Sequence, residues 1–228
     1  MTIEPLSHVT ACLGRTFYER DTSEVAKSLL GKLFVRKLAV RGSIIGLAGY
    51  IIETEAYGYQ DDPASHAFRG NKPRSSIMFG DVGFLYVYFI YGKHFCANVT
   101  ARRNDTQAGA VLIRSLLPLA GQNIMRKGRK NSKNLTLGPG RVTEAMSISL
   151  AHNGLDVTQE NSPISLYQGL EIADFITSTR IGISKAIDRP WRYIATRFAS
   201  GLKIETLPRF YHTTYLWKDS DNPPEKVA

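Results

Sequence analysis

The feature that most restricts the possible fold is a series of strand-like apolar runs that follow one another without regular helices between them. Four of these runs cover residues 32–40, 43–57, 84–91 and 108–118. Apolar runs bounded by turn-forming residues are typical of β-strands, and successive strands without crossover helices favour antiparallel pairing. We therefore predict an α+β fold in which a curved, mostly antiparallel sheet is flanked by helices and carries a protruding β-hairpin.

The length and composition of the chain bound its domain organisation. At 228 residues the chain can bury one sizeable core, and no shift in composition divides it. We predict a single domain over residues 1–228, with residues 1–14 and 218–228 as loosely ordered tails.

A helix is predicted directly before the first strand. Asp21 can cap it, Glu24 follows three residues later as in a capping box, and Gly31 ends it. Val25, Leu29 and Leu30 form its apolar stripe, so we expect this helix to be part of the scaffold.

The remaining segments predict one loop, one helix and two short strands. The polar segment of residues 61–73 is expected to be an irregular, exposed loop. A second helix is predicted near residues 119–127, and short strands near residues 180–184 and 189–198.

Composition restricts the environment in which the chain works. The most apolar run, residues 84–91, is much shorter than the roughly 20 residues of a membrane-spanning helix. The N-terminal stretch carries acidic and polar residues where a secretory signal would have a basic start and an apolar middle. Cys12 and Cys96 are the only cysteines and belong to no paired motif, which fits a reducing compartment. We expect a protein that stays inside the cell.

The charge balance indicates a polyanionic partner. The formal net charge is +9, from 29 Lys and Arg against 20 Asp and Glu. Such a surface concentrates nucleic acids, although many basic proteins bind none, so the position of the charge matters more than its sum.

Residues 83–98, GFLYVYFIYGKHFCAN, predict a hairpin. Side chains alternate along a strand, so Leu85, Val87 and Phe89 share the side that suits the core. A loop of residues 92–93 would pair Asn98 with Val87, whereas a loop of residues 92–94 would pair it with Tyr88.

Tyr91 stands at the expected tip of this hairpin, followed by Gly92 and the basic residues Lys93 and His94. A ring with cationic neighbours can wedge between stacked bases, where phosphate contacts offset the cost of unstacking. Tyr91 can equally cover the end of the sheet, and the pattern alone does not choose between these roles.

Glu53, Glu55 and Tyr57 share one face of a strand that is apolar up to that point. A glutamate beside aromatic rings can act as a base toward water, and both glutamates can instead pair with arginines in a structural network. Arg114 lies late in another apolar strand and needs a carboxylate partner. It either reaches Glu55 and helps to hold a water molecule, or caps the sheet edge without a role in chemistry.

Several blocks along the chain resemble the alkyladenine DNA glycosylase family, also called 3-methyladenine or methylpurine DNA glycosylases. They extend from about residue 15 to residue 198 and occur in order as GYIIETEAY, PASHAFRG, MFGDVGFLYVYFIYGKHFCANV, AVLIRSLLP, LGPGRVTEAM and RPWRYI. The ordered set carries the resemblance, since ETEAY alone is a weak signal.

This resemblance implies a monofunctional enzyme that flips a damaged purine nucleotide out of duplex DNA and hydrolyses its N-glycosidic bond. Glu55 matches the glutamate that activates the attacking water, and Arg114 matches the arginine that helps to position it. No lysine accompanies Glu55 in the matched motifs, so a Schiff-base lyase step is not expected.

The resemblance also implies the base-binding residues. Tyr57 and Tyr88 match the rings on either side of the flipped base, with His66 on the second flank. Asn98 matches the residue at the base edge that helps to reject normal guanine, and Tyr91 matches the residue that fills the vacated place in the duplex. Electron-rich rings should favour a cationic alkylated base by roughly 0.5–2 kcal/mol.

This sequence departs from the family pattern at two points. Lys93 and His94 stand where vertebrate members have a more apolar pair, and residues 102–110 lengthen a segment that we assign to a loop. The motif GPGR predicts either a simple turn or a helix start at which Arg141 meets a phosphate. The basic stretch 126–133 is either solvated or in non-specific contact with phosphates.

Two other functions fit the same residues. The first is a non-catalytic nucleic-acid-binding module with the same basic face. The second is a metal-dependent nuclease that uses its acidic side chains, Glu53, Glu55, Asp61 and Asp62. The five histidines show no paired ligand spacing, so we expect neither a metal nor another cofactor.

The expected partner is double-stranded DNA that contains damaged purines. We expect no membrane contact, no obligate protein partner and a monomeric state. The protein would be cytoplasmic and nucleoid-associated in a bacterium, and nuclear in a eukaryote.

Overall fold

A computed structural model describes residues 11–40, 42–90, 92, 94–127 and 134–199. Within these residues the chain forms eight strands: β1 Leu33–Val40, β2 Ser43–Tyr57, β3 Leu85–Ile90, β4 His94–Thr100, β5 Ala110–Ala120, β6 Ile164–Tyr167, β7 Ile172–Ser178 and β8 Arg192–Phe198. The helices are α1 Thr22–Leu29, α2 Gln122–Met125 and α3 Pro139–Ala145. Three short 3₁₀ turns cover Arg15–Phe17, Ser76–Phe79 and Leu150–His152.

The strands form one curled sheet in the order β3-β4-β5-β2-β1-β6, and β8 joins it by pairing with both β2 and β7. All the strand pairings are antiparallel. Residues 53–55 of β2 are paired with β5 on one side and β8 on the other. The predicted α+β fold with a curved antiparallel sheet is confirmed, and the 15-residue strand β2 lies at its centre.

Helix α1 forms where the sequence predicts it. The Asp21 carboxylate accepts hydrogen bonds from the backbone N–H groups of Ser23 and Glu24, which otherwise lack partners in the first turn. Glu24 does not complete the capping box, because its carboxylate pairs with Lys27 at 2.8 Å. Gly31 follows the helix with a φ of 79°, a left-handed conformation that costs glycine little.

The core lies between one face of the sheet and helices α1 and α3. Leu85 and Val87 of β3 are buried there, as their shared side predicts. Phe89, assigned to the same side, is 46% exposed, which corrects the prediction for that residue. It lies near the end of the hairpin, beyond the main core, and its ring packs on Phe95 at 5.3 Å between centroids.

Three local predictions are corrected by the structure. Residues 180–184 form an irregular segment between β7 and β8 rather than a strand. Helix α2 is shorter than predicted, because β5 continues to Ala120 and Gly121 then turns the chain with a φ of 77°. The 61–73 segment is irregular as predicted, yet it is not uniformly exposed, since Asp62 is completely buried.

The ends of the chain are described only in part. Leu13 is buried, and its N–H donates a hydrogen bond to the carbonyl of Leu166 at 2.8 Å. Residues 1–10 and 200–228 lie outside the described residues. In the part that is described, no helix is both long and apolar enough to cross a membrane.

Candidate active site

A cavity of about 740 Å³ opens beside the hairpin of β3 and β4. Five of the residues predicted to act on substrate line it: Tyr57, His66, Tyr88, Asn98 and Arg114. They come from the end of β2, the following loop, β3, β4 and β5, so the sheet topology brings together positions that are far apart in sequence.

Glu55 lies directly behind this lining. Its carboxylate is fully buried and accepts hydrogen bonds from the Tyr57 hydroxyl at 2.8 Å and from the Ile181 N–H at 2.8 Å. A guanidinium nitrogen of Arg114 lies 3.1 Å from its Oε1. The cavity is lined by all three partners of this carboxylate, Tyr57, Ile181 and Arg114, but not by Glu55 itself. Glu55 therefore lies one layer behind the cavity wall, in direct contact with residues that form the wall.

Glu53 occupies a different environment on the same strand. Its Oε1 accepts from Arg114 Nε at 2.9 Å and from Arg192 at 3.0 Å, and its Oε2 accepts from the Ser115 hydroxyl at 2.6 Å. Burial alone would raise the pKa of Glu53, but the two arginines outweigh it and hold the pKa below its usual value. Glu53 therefore belongs to the structural arginine network that was one of the two alternatives.

Arg114 connects the two glutamates. Burial disfavours its charged form, yet Glu55 and Glu53 together raise the pKa of Arg114 above its usual value. It remains a cation whose Nε is held by Glu53 while another nitrogen faces Glu55. The sequence left open whether Arg114 reaches Glu55 or only caps the sheet edge, and the structure shows that it reaches Glu55.

The ring wall of the cavity contains one residue that the sequence reasoning did not select. Tyr88 packs edge-on against His66 at 4.6 Å and lies 5.2 Å from Tyr86, measured between ring centroids. The Tyr86 hydroxyl lies 2.8 Å from His66 Nδ1 and holds that imidazole. Burial, with a smaller contribution from Arg74, lowers the pKa of His66, which favours the neutral ring. Tyr86 could have been found, because it shares a strand face with Tyr88.

The hairpin has neither of the two predicted registers. Ile90 pairs with His94 and Tyr86 with Asn98. Asn98 still lies on the ring side of the hairpin, because Tyr86 and Tyr88 are two residues apart and share a face. Its Nδ2 donates to the Tyr86 carbonyl at 3.0 Å, and this bond fixes the amide at the cavity wall.

A model of the methylpurine-DNA glycosylase (MPG) family matches residues 16–198 of the chain. The chain belongs to this family. The match spans nearly the same residues as the resemblance, and the predicted family is confirmed. As a DNA glycosylase, the protein is a hydrolase that acts on N-glycosidic bonds.

Bacterial relatives agree with this assignment, and those reported below are each named "Putative 3-methyladenine DNA glycosylase". The one from Rhodopseudomonas palustris (strain BisB5) is 42% identical over 183 residues, which cover 79% of this chain and 85% of the relative. The one from Carboxydothermus hydrogenoformans is 42% identical over 185 residues, or 79% and 93% of the two chains. The one from Prosthecochloris aestuarii is 44% identical over 182 residues, or 78% and 85%.

The residues predicted to touch the DNA backbone are less completely described in this glycosylase. Tyr91 and Lys93 lie outside the described residues, as does the basic stretch from 128 to 133. The GPGR motif does open a helix, α3, and Arg141 is exposed in its first turn.

Sequence reasoning also missed an ion pair behind the cavity. Arg180 donates two hydrogen bonds to Asp62, at 2.6 and 2.7 Å, and both side chains are fully buried. Its guanidinium carbon lies 4.7 Å from the centroid of the Tyr57 ring. The two residues are 118 positions apart, so no local pattern could have paired them.

The acidic residues considered for a nuclease are held by arginines. Glu53 and Asp62 are paired as described above, and Asp61 lies 3.3 Å from Arg189. Among the described residues, no group of three His, Cys, Asp or Glu side chains could hold a metal ion.

Proposed function

We propose that this glycosylase removes alkylated or deaminated purines from duplex DNA by flipping the damaged nucleotide into the cavity and hydrolysing its N-glycosidic bond. Membership of the methylpurine-DNA glycosylase family supports damaged DNA as the substrate. The observation that carries the mechanism is the convergence of Tyr57, His66, Tyr88, Asn98 and Arg114 on one cavity, with Glu55 one hydrogen bond behind it.

The flipped purine stacks between Tyr57 and the opposite wall of Tyr88 and His66. The cavity volume of about 740 Å³ lies in the range of small-molecule pockets and leaves room for a base with part of its sugar. Alkylation at N3 or N7 makes the purine a cation and weakens its bond to the sugar. One base that activates water is then sufficient for these lesions.

Glu55 acts as the general base. It takes a proton from a water molecule as the water oxygen bonds to the anomeric carbon and the purine departs with the bonding electrons. A carboxylate oxygen has two lone pairs, so Oε2 can accept from this water as well as from Tyr57 once the Tyr57 ring moves far enough to open the buried carboxylate to the cavity. Arg114 and the Ile181 N–H fix the carboxylate from the Oε1 side.

Asn98 rejects normal guanine at the edge of the base. The amide is buried and tied to the Tyr86 carbonyl, so it cannot move aside for the exocyclic amino group of guanine. An unpaired polar group pressed against it would cost about 1–3 kcal/mol. 7-Methylguanine carries the same amino group and meets the same cost, but the weakened glycosidic bond of this cationic base still lets it be released, so the discrimination falls on normal guanine.

Contacts outside the cavity complete the proposal. Tyr91 fills the place that the flipped nucleotide vacates, and Lys93 and Arg141 bind flanking phosphates. The protein works as a monomer on the bacterial chromosome and needs no protein partner.

The decisive experiment compares wild type with Glu55→Gln on duplexes that each contain one lesion: 3-methyladenine, 7-methylguanine, hypoxanthine or ethenoadenine. Reactions contain a chelator, and abasic sites are cleaved with alkali. Glutamine keeps the size and the hydrogen-bonding reach of Glu55, so the variant should bind the duplex while its base release falls by about 10²–10⁴-fold. Glu19→Gln, on an exposed carboxylate, is the matched control and should match wild type.

The other outcomes separate the alternatives. A Glu55→Gln variant as active as wild type rejects Glu55 as the base. Strand cleavage that the chelator blocks and that passes through no abasic site identifies a nuclease. Binding without release of any of the four bases identifies a non-catalytic module.

A further inference from the structure

Arg180 contacts the proposed base-stacking ring from the side away from the cavity. Its guanidinium carbon lies 4.7 Å from the Tyr57 centroid and 5.1 Å from the Trp191 centroid. Tyr57 lines the cavity, whereas Arg180 does not, although the next residues of the same segment, from Ile181 onward, do. Tyr57 therefore stands between a permanent cation and the space that receives the base.

The position of Arg180 is fixed by buried contacts. Two nitrogens donate to Asp62, and one of them also donates to the Ala56 carbonyl at 2.9 Å. Its Nε is buried and has no hydrogen-bond partner among the described residues. The stacking between the rings of Tyr57 and Trp191 thus contributes to its placement along with the hydrogen bonds.

A second arginine, Arg74, also lies against a ring of the cavity but differs from Arg180 in its exposure to solvent. Its guanidinium carbon lies 5.2 Å from the Tyr88 centroid, but its side chain is exposed and lines the cavity. An exposed side chain can move aside when a base enters, whereas the fully buried Arg180 remains against its ring throughout.

A cation on one face of an aromatic ring draws π-electron density toward itself and weakens the attraction of the other face for a second cation. The effect depends on the charge of the incoming base. An alkylated purine such as 7-methylguanine is a cation, whereas hypoxanthine is neutral and stacks without this penalty.

We propose that Arg180 is a specificity-determining residue that, acting through Tyr57, lowers the affinity of the cavity for positively charged purines relative to neutral ones. The inference rests on the proposed function, because it places the flipped base against Tyr57. Asp62 offsets part of the charge of Arg180 and thereby sets the strength of the effect.

The expected size follows from Coulomb's law. A stacked purine would lie about 8 Å from the guanidinium and about 12 Å from the Asp62 carboxylate, which at an effective dielectric constant of about 20 gives roughly a threefold net penalty on a cationic base. Removal of the carboxylate alone would strengthen the penalty by about a further tenfold.

Two variants with opposite expected effects test the proposal. Asp62→Asn combined with Arg180→Gln removes both charges without leaving either one unpaired, and Asp62→Asn alone leaves Arg180 uncompensated. The measurement is the half-saturating enzyme concentration in single-turnover base release, for 7-methylguanine and for hypoxanthine in otherwise identical duplexes. Asp174→Asn, which removes the exposed carboxylate that pairs with Arg197, controls for the gain of one net positive charge in Asp62→Asn.

Relative to hypoxanthine, the affinity for 7-methylguanine should rise about threefold in the double variant and fall about tenfold in Asp62→Asn. The relative affinity should stay unchanged in Asp174→Asn. If both lesions are affected equally in every active variant, Arg180 has only a structural role and the proposal is overturned. Should the double variant not fold, an unchanged ratio in Asp62→Asn overturns the proposal by itself. A wild-type protein that releases neither base refutes the proposed function instead.

Discussion

Glu53→Gln separates the structural glutamate from the proposed catalytic one. Glu53 is almost fully buried, and its Oε1 accepts hydrogen bonds from two arginines, Arg114 at 2.9 Å and Arg192 at 3.0 Å. Glutamine has nearly the same shape but no charge. The substitution therefore leaves two buried cations facing a neutral amide, although Arg114 keeps its contact with the carboxylate of Glu55.

The cost can be worked out from these contacts. Removal of one partner from a buried ion pair destabilises a protein by about 3–5 kcal/mol, because the remaining charge has lost both water and its partner. For a chain of this length that corresponds to a fall in Tm of roughly 6–20 °C. The matched control is Glu24→Gln, which breaks the exposed pair with Lys27 and should cost less than about 0.5 kcal/mol.

Urea unfolding followed by circular dichroism, together with thermal melting, measures both variants against wild type. The free energy of unfolding should fall several times more in Glu53→Gln than in Glu24→Gln. Equal losses in the two variants would refute the reasoning, because they would show that the buried network contributes no more than a solvated surface pair.

Further predictions concern pH, stacking and backbone conformation. The lowered pKa of Glu53 means that its stabilising contribution is present above about pH 4.3 and is lost as the pH falls through the folded-state pKa. The stability difference between wild type and Glu53→Gln should therefore narrow below that pH in urea titrations, and a constant difference would contradict the linkage. Tyr57→Leu removes an aromatic stacking surface and should weaken the binding of a flipped base by about 1–3 kcal/mol. The half-saturating enzyme concentration in base release measures this loss, and an unchanged value would show that the ring lies outside the base site. Gly31→Ala should destabilise the fold more than Gly42→Ala. Both glycines have a positive φ, 79° and 78°, so both substitutions strain the backbone. Only at position 31 would the new Cβ also clash, because it would lie 2.1 Å from the backbone oxygen of Leu170. In urea unfolding, Gly42→Ala, the control, should lower the free energy of unfolding by about 1–2 kcal/mol, and Gly31→Ala should lower it by more. Similar losses in the two variants would contradict the proposed clash.

Local patterns predicted much of the fold and of the cavity. The bounds of β2 and the cap of α1 follow from apolar runs and from a single side-chain acceptor, both of which depend on neighbours in sequence. Of the two predicted registers, the one that pairs Asn98 with Tyr88 differs from the observed pairing with Tyr86 by two residues, so it places Asn98 on the correct face of the hairpin.

The errors occur where distant residues or backbone geometry decide the structure. The hairpin register, with Ile90 opposite His94, depends on backbone geometry that the residue types between these two positions do not specify. The segment after β7 places the main-chain N–H of Ile181 on the Glu55 carboxylate. Every residue except proline has such a group, so the residue type at this position could not predict the contact. Arg180 is held by Asp62, which lies 118 positions away in the sequence, so only the tertiary fold brings the two residues together.

The double pairing of β2 has an evolutionary consequence. Residues 53–55 are hydrogen-bonded on both edges, so Glu55 is carried by a strand that resists local opening and tolerates little change. His66 belongs instead to an irregular connection, where substitutions away from the buried Asp62 disturb fewer backbone pairings than they would in a strand. In the proposed mechanism, descendants of this chain can therefore acquire new lesion preferences through substitutions around His66, while the strand that carries Glu55 is inherited intact.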